Sequence, residues 1–275
     1  MRSWITLALL FVSMPAFTAA AEEPKKYREL DELFTLYQPY LGNISAYQPM
    51  YFLLGTQPEK SKFQFSFKYR FFNPDGSLAG SQPWVKGIHF AYTQTSFWDL
   101  KSDSKPFEDT SYKPEFFFLS SGRRFTSSEI NRVFLQAGYQ HESNGRGGEY
   151  SRATDQLYIK PHFIWLNEKS KLGIQAAPKL WWYISNENKE LPDYRGYFDL
   201  EIKCGKADSL VVETHLRWAR EGGSGQVDAT YPLNRFFFKN LDLYLHLQYV
   251  NCLAESLLHF TERTHALRIG FSVIR

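Results

Sequence analysis

The stretch Phe63-Gln64-Phe65-Ser66-Phe67-Lys68-Tyr69-Arg70-Phe71 alternates an aromatic ring with a polar or charged side chain at every step. Successive side chains of a β-strand point to opposite faces, so this segment presents rings on one side and Gln, Ser, Lys and Arg on the other. The pattern recurs along the chain. Leu241, Leu243, Leu245, Leu247 and Tyr249 interleave with Asp242, Tyr244, His246 and Gln248; Leu210, Val212, Leu216 and Trp218 interleave with Glu213, His215 and Arg217. Leu267, Ile269, Phe271 and Val273 continue it to the end. Strands of soluble sandwiches average about 5–6 residues, whereas these runs approach the roughly 9–11 that cross a bilayer at a tilt. Length and alternation together predict an all-β, transmembrane antiparallel barrel whose apolar face meets lipid.

Composition agrees. Of 275 residues 43% are hydrophobic and 17% aromatic, yet the mean hydropathy of -0.41 is too polar for a bundle of membrane helices. A net charge of only +3, with no sustained Lys/Arg block, leaves no electrostatic footprint for nucleic acid. Cys204 and Cys252 are too few for a disulfide scaffold or a Cys-rich zinc site and are expected to be free thiols at opposite ends of the barrel. The start reads as a signal peptide over 1–21: basic Arg2, an apolar run from Trp4 to Val12, and Ala19-Ala20-Ala21 before Glu22-Glu23. An N-terminal periplasmic segment over 22–45 and a barrel over 46–275 follow.

The alternation delimits twelve strands, near 46–56, 62–72, 86–98, 112–120, 131–143, 154–166, 171–184, 194–204, 208–219, 225–232, 240–250 and 263–274. With both termini in the periplasm, the short segments Asn167–Ser170 and Gly205–Ala207 fall inside. The longer ones, Asp99–Ser111, Glu142–Ala153, Ile184–Asp193 and Asn251–Glu262, fall outside, the asymmetry of outer-membrane barrels. Trp98, Trp165, Trp181, Trp182 and Trp218 lie near strand ends, where interfacial girdles form.

The candidate chemistry sits on 131–143. Val133, Leu135, Ala137 and Tyr139 define its lipid-facing parity, and His141 and Ser143 continue that parity at the outer end. Two residues apart on one strand face lie roughly 7 Å apart, within reach for an imidazole to take a hydroxyl proton. On the next strand Leu157, Ile159, Phe163 and Trp165 face out, and Asp155 precedes them on the same face. Antiparallel pairing brings Asp155 beside His141, where a carboxylate orients the ring and stabilises the imidazolium. A polar trio on lipid parity is costly unless mutually hydrogen-bonded, and these three have the types of an acyl-transfer site. His89, His162, His215 and His246 follow lumen parity without metal-ligand spacing and read as hydrogen-bonding lumen residues.

The run Tyr139-Gln140-His141-Glu142-Ser143-Asn144-Gly145-Arg146, followed by Ser151-Arg152 and Leu157-Tyr158, resembles the signature of the outer-membrane phospholipase A family. Similarity extends to Phe34-Thr35-Leu36-Tyr37, to Tyr92-Thr93-Gln94 with Ser96 and Trp98, to Pro106-Phe107, and to Tyr194 with Gly196-Tyr197. The resemblance implies a calcium-dependent outer-membrane enzyme that hydrolyses acyl esters of phospholipids and lysophospholipids. It further implies reversible homodimerisation as the activating step, an active site facing the cell exterior, and quiescence while outer-leaflet asymmetry withholds substrate. By position it implies Ser143 as nucleophile, His141 as base, Asp155 as orienter and Gly145 as oxyanion-hole N–H donor. Arg146 and Ser151 match carbonyl ligands of Ca2+, Ser104 a hydroxyl ligand from the second subunit, and Gln94 a polar residue bonding across the dimer within the membrane. Alternation independently puts Gln94 on lipid parity with Ile88, Phe90 and Tyr92, where a self-complementary partner would satisfy its amide.

Three departures stand out. The third catalytic position is commonly Asn in the family, and here it is Asp155; the charge strengthens imidazolium stabilisation and costs more to bury beside lipid. A position usually acidic at a second calcium site falls on Gly148, with Glu149 adjacent and Glu190 in a facing loop. The chain ends Val273-Ile274-Arg275 rather than on an aromatic. Two other functions fit parts of the pattern: a lipid A deacylase barrel, which needs only about eight strands, and a passive or structural barrel. Lys68, Arg70, Glu201, Lys203, Glu213 and Arg217 on lumen parity can pair and plug the interior, against an open pore.

Overall fold

Every strand of the predicted set finds an antiparallel partner on each side, and the cylinder closes. The computed structural model describes residues 43–125, 131–185, 187–235 and 239–275. The expected signal peptide, Phe34–Tyr37 and nearly all of the segment 22–45 lie outside these. The barrel strands are β1 (Met50–Gly55), β2 (Ser61–Arg70), β3 (Ile88–Trp98), β4 (Phe107–Leu119), β5 (Arg132–Ser143) and β6 (Ala153–Leu166). They continue with β7 (Gly173–Tyr183), β8 (Phe198–Gly205), β9 (Val211–Ala219), β10 (Gly222–Pro232), β11 (Tyr244–Leu253) and β12 (Arg263–Ile274). Each pairs with its neighbours in sequence, and β12 closes on β1, with Phe271 opposite Phe52. Two short pieces, Ile44–Ala46 and Arg123–Arg124, pair with β2 and β5. Closure matters because hydrocarbon offers no partner to a free backbone N–H or C=O.

The faces fall as the alternation predicts. On β2, Phe65 is half exposed while Ser66 is fully buried; on β11, Leu247 and Tyr249 point out while His246 and Gln248 are buried. The outer wall is a belt of apolar residues that only lipid can cover. Trp182 and Trp218 sit exposed in it, but Trp181 turns inward and packs with Ala91, Phe117 and Tyr158. Adjacent residues of one strand cannot both face out, so one of the Trp181–Trp182 pair had to leave the girdle.

Loop lengths depart from the simple asymmetry: on the expected periplasmic end the connections 71–87, 120–131 and 233–243 are long, while on the other end 56–60 and 220–221 are short. The connection between β2 and β3 carries the helix α1 (Ser77–Ser81) and a 3-10 turn over Pro83–Gly87. On the opposite end β9 and β10 are joined across Arg220–Glu221 alone. The segment before β8 holds the helix α2 (Leu191–Arg195), whose Leu191 packs with Ala254 and Leu257 of the β11–β12 loop into a small apolar cap over the barrel end.

The lumen is filled rather than open. Lys160 pairs with Glu201 at 2.6 Å, Lys203 with Glu213 at 2.7 Å, and Arg195 with Glu142 at 2.6 Å. Arg70 donates to Asn43 and Arg217 to the Leu253 carbonyl. Two cavities of about 290 Å³ each remain among these groups. His215 bonds Asp199 and Glu213, His246 bonds Ser272 and Asp228, and His89 the Gly87 carbonyl. His162 stacks on Phe134, and among the described residues neither ring nitrogen has a partner. Cys204 and Cys252 are free.

Glu255, in the β11–β12 loop, reaches into the barrel and binds Lys62 at 2.9 Å and Arg268 at 2.7 Å, its side chain only 7% exposed. Burial alone would raise its pKa, but the two cations outweigh it and hold the carboxyl at about 2. A depressed carboxylate contributes stability that is complete above its unfolded value, near 4.5, and is lost as pH falls toward about 2. Glu255→Gln should therefore lower the unfolding free energy of the micelle-bound barrel by about 3–5 kcal/mol at neutral pH, since it leaves buried cations without their counterion. Urea titrations across this pH range check it: wild type should lose that advantage on acidification and the variant should not.

Candidate active site

The geometry at the outer end of β5 begins with a residue that points the other way. Glu142 is buried in the lumen, where Ser111 donates to it at 2.6 Å, Arg195 at 2.6 Å, and Lys113 lies at 3.7 Å. Because neighbours on a strand face opposite sides, fixing Glu142 inward commits His141 and Ser143 outward. Both are half-buried on the lipid face, in line with Tyr139 and Leu135.

β6 pairs with β5 so that His141 lies opposite Asp155 and Ser143 opposite Ala153. His141 Nδ1 meets Asp155 Oδ1 at 2.8 Å. The Tyr139 hydroxyl donates to the same carboxylate oxygen. The Asp155 backbone N–H donates to Ser185 Oγ at 2.9 Å, and its carbonyl accepts from Ile184 N–H at 2.9 Å. Among the described residues the Ser143 hydroxyl makes no hydrogen bond to the ring; it shares the ring's face one step toward the strand end. A hydroxyl, an imidazole with one nitrogen committed to a carboxylate, and a carboxylate with two donors thus occupy a single row. A neutral ring that gives Nδ1–H to a carboxylate keeps Nε2 free to accept a proton.

The loop after Ser143 is held by Asn144, which is buried. Its Oδ1 accepts from the backbone N–H of Arg146 at 3.2 Å and of Arg152 at 3.0 Å, its Nδ2 donates to the Tyr150 carbonyl at 2.8 Å, and its own N–H donates to the Arg152 carbonyl at 3.0 Å. One side chain thereby ties both ends of the loop together. Gly145 follows at φ +67, and a Cβ there would stand 2.8 Å from the ring of Tyr112, the residue of β4 opposite Ser143. The left-handed backbone and the ring both select glycine.

The carbonyls of Arg146 and Ser151 belong to this same loop. Calcium takes hard oxygen ligands, and the Ser151 carbonyl already accepts a cationic donor, Arg152 Nη1 at 2.8 Å, which also bonds the Glu149 carbonyl at 2.8 Å. The Ser151 and Glu149 carbonyls are thus hard oxygens already turned toward a positive charge, the donor type calcium takes. Ser104 is exposed in the β3–β4 loop and Glu190 is exposed just before α2; among the described residues no hydrogen bond brings either to the Ser143 loop. A separate group of ligand type, Glu201, Glu213 and His215, has its ligating atoms within 4.8 Å of one another. It lies in the lumen, already engaged by Lys160 and Lys203.

Gln94 faces lipid on β3 as expected, and its amide is satisfied within one copy. Tyr92 donates to its Oε1 at 3.0 Å, and its Nε2 donates to Ser96 Oγ at 3.3 Å, where Thr110 also donates at 3.1 Å. Sequence reasoning passed over Glu142, Asn144, Tyr139 and Ser185. Lumen parity could have found Glu142; Ser185 carries no signal, because its role depends on where β7 runs past β6.

Gly145→Ala should destabilise the loop by about 1–2 kcal/mol for its left-handed backbone, beyond the clash with Tyr112, and cut hydrolytic turnover by at least tenfold. Gly147→Ala is the control, since a Cβ there meets nothing within 4 Å; kcat of the two variants, measured beside unfolding midpoints, should separate them.

Comparison with known proteins bears on the fold and the family. The family model for Phospholipase A1 matches residues 38–273. The Phospholipase A1 of Escherichia coli is 25% identical over 269 residues, covering 90% of this chain and 83% of that protein. Among solved structures, outer membrane phospholipase A from Escherichia coli superposes with a TM-score of 0.67 at 19% identity, over 86% of this chain and 96% of that one. The Salmonella typhi outer membrane phospholipase dimer with bound calcium gives 0.66 at 22% identity, over 84% and 92%. The matched family model spans the barrel from before its first strand to the last residues of β12, and the chain therefore belongs to the phospholipase A1 family, hydrolases built as outer-membrane β-barrels.

Proposed function

We propose that this hydrolase cleaves acyl ester bonds of membrane phospholipids and lysophospholipids, with Ser143 as nucleophile, His141 as general base and Asp155 as the group that orients it. The supporting observation is the 2.8 Å His141–Asp155 contact on the same lipid-facing row as Ser143. Residues 1–21 serve in export and 22–45 remain in the periplasm, so the row lies at the exterior edge of the outer membrane. A bilayer lipid can then present its ester to the barrel wall without leaving its own solvent.

The reaction follows from the row. Ser143 Oγ attacks the acyl carbonyl while His141 Nε2 takes its proton, and the imidazolium that forms is stabilised by Asp155. The carbonyl oxygen becomes an oxyanion, to which the Gly145 N–H donates. Collapse expels the lysolipid or glycerol oxygen, which leaves with the proton from His141, and an acyl-serine remains. Water, deprotonated by His141, then releases the fatty acid and restores Ser143. Calcium held by the carbonyls of Arg146 and Ser151 and by Ser104 of a second copy would supply positive charge beside the oxyanion. The active form on this reading is a homodimer joined through the Tyr92–Gln94–Ser96 row, the amides re-pairing between copies; Glu190 is the remaining candidate for an additional calcium contact.

A lipid A deacylase barrel needs only about eight strands, and the twelve found here together with the family match favour the phospholipase. A passive pore conflicts with the ion-paired lumen.

Fatty-acid release from mixed phospholipid–detergent micelles tests the proposal. Ser143→Ala and His141→Ala should each lose about 10³-fold or more in kcat, and chelation of calcium should abolish release and reduce the cross-linkable dimer. Full activity of Ser143→Ala would overturn the assignment. Asp155→Asn should stay active, with the acid limb of its rate profile moved to lower pH because the ring loses a neighbouring negative charge; a profile superimposable on wild type would remove Asp155 from the mechanism.

A further inference from the structure

Tyr139 stands two residues before His141 on β5, its side chain on the same lipid-facing row. Its hydroxyl donates to Asp155 Oδ1, the oxygen that also receives His141 Nδ1 at 2.8 Å. The cross-strand register explains how: Tyr139 lies opposite Leu157 and His141 opposite Asp155, so the carboxylate sits between two side chains of the facing strand. From the other side, just past the end of β7, come the Ser185 hydroxyl, which accepts from the Asp155 backbone N–H and also lies within hydrogen-bonding reach of the carboxylate, and Ile184, whose N–H bonds the Asp155 carbonyl. Tyr112 on β4, opposite Ser143, is a further titratable side chain by this row.

A carboxylate beside lipid has few ways to be satisfied. His141 and the small Ser185 hydroxyl leave it undercompensated while the ring is neutral. A phenol supplies a further donor on a stiff two-torsion arm that is itself apolar enough to lie in the hydrocarbon. We propose that Tyr139 is a positioning residue of this active site: it shares the Asp155 carboxylate with His141, fixing the plane of the carboxylate and withdrawing part of its negative charge from the ring. This deepens the proposed Ser143–His141–Asp155 reading and rests on it. It also gives a physical account of an aspartate at a lipid-facing position, because the charge arrives with a neutral donor built into the neighbouring strand.

The test is a double-mutant cycle on the full-length protein in micelles, reading kcat, KM and the pH–rate profile. Tyr139→Phe keeps the ring and removes only the donor. It should lower kcat about tenfold, leave KM within about twofold, and move the acid limb to higher pH, since the unshared carboxylate stabilises the imidazolium more strongly. In the Asp155→Asn background the same substitution should cost no more than about twofold and leave the acid limb in place, because there is no charge left to share. An equal loss in both backgrounds, or a wild-type profile for Tyr139→Phe, overturns the role of Tyr139. Failure of the underlying reading looks different: Ser143→Ala or Asp155→Ala would then retain turnover whatever Tyr139 does. Unchanged unfolding midpoints and heat-shifted gel mobility for Tyr139→Phe exclude a folding defect as the cause, and Tyr139→Leu, which removes ring and donor, should be no worse than Tyr139→Phe in the pH shift.

Discussion

The buried pairing of Glu142 with Arg195 is the constraint on which the site depends. Glu142 stands between His141 and Ser143, and its carboxylate is held inside the barrel by Arg195, Ser111 and Lys113. A strand has no intermediate setting between its two faces, so a one-residue slip would bring the imidazole and hydroxyl into the lumen and put a carboxylate into lipid. Several buried partners on Glu142 make that slip expensive. Arg195 comes from α2 and also touches the Ala254 carbonyl, which links the strand register to the apolar cap over the barrel end.

On the outer face the problem is reversed, because polar groups must survive beside hydrocarbon. The protein solves it with rows. Tyr139, His141 and Asp155 satisfy one another across the β5–β6 seam, and Tyr92, Gln94, Ser96 and Thr110 do so across β3 and β4. A satisfied row costs far less than an isolated group, and it remains available to exchange partners with a lipid ester or with a second copy of the chain. The loop tied by Asn144 joins these two regions, since Arg146 reaches from it to the carbonyls of Phe107 and Glu108 at the start of β4.

The lumen does the work that an apolar core does in a soluble domain. Interlocked charges, among them Lys62, Glu255 and Arg268 at one end and Lys203 with Glu213 deeper in, tie strands and a loop together across the interior. Such a network is rigid while complete and vulnerable when a single member is lost. That suits an enzyme whose reacting groups are carried on the outside of the wall, where a shift of an ångström in one strand would misalign them.

Residue order alone determined the class of fold, the two faces of the cleanly alternating strands and the outward parity of His141, Ser143 and Asp155, because a period of two is a local property that needs no knowledge of partners. It placed Phe65 against Ser66 and Leu247 against Gln248 for the same reason. It misassigned Trp181 to the girdle, since a tryptophan near a strand end says nothing of its parity when another follows it. Only the tertiary structure decided which groups meet across seams: Tyr139 on Asp155, Asn144 across its own loop, Ser185 behind Asp155, Arg195 on Glu142, and Tyr92 on Gln94 within a single copy. Those contacts depend on the stagger between strands and on where loops turn back, quantities set by the closing of the whole cylinder and written in no short segment of the chain.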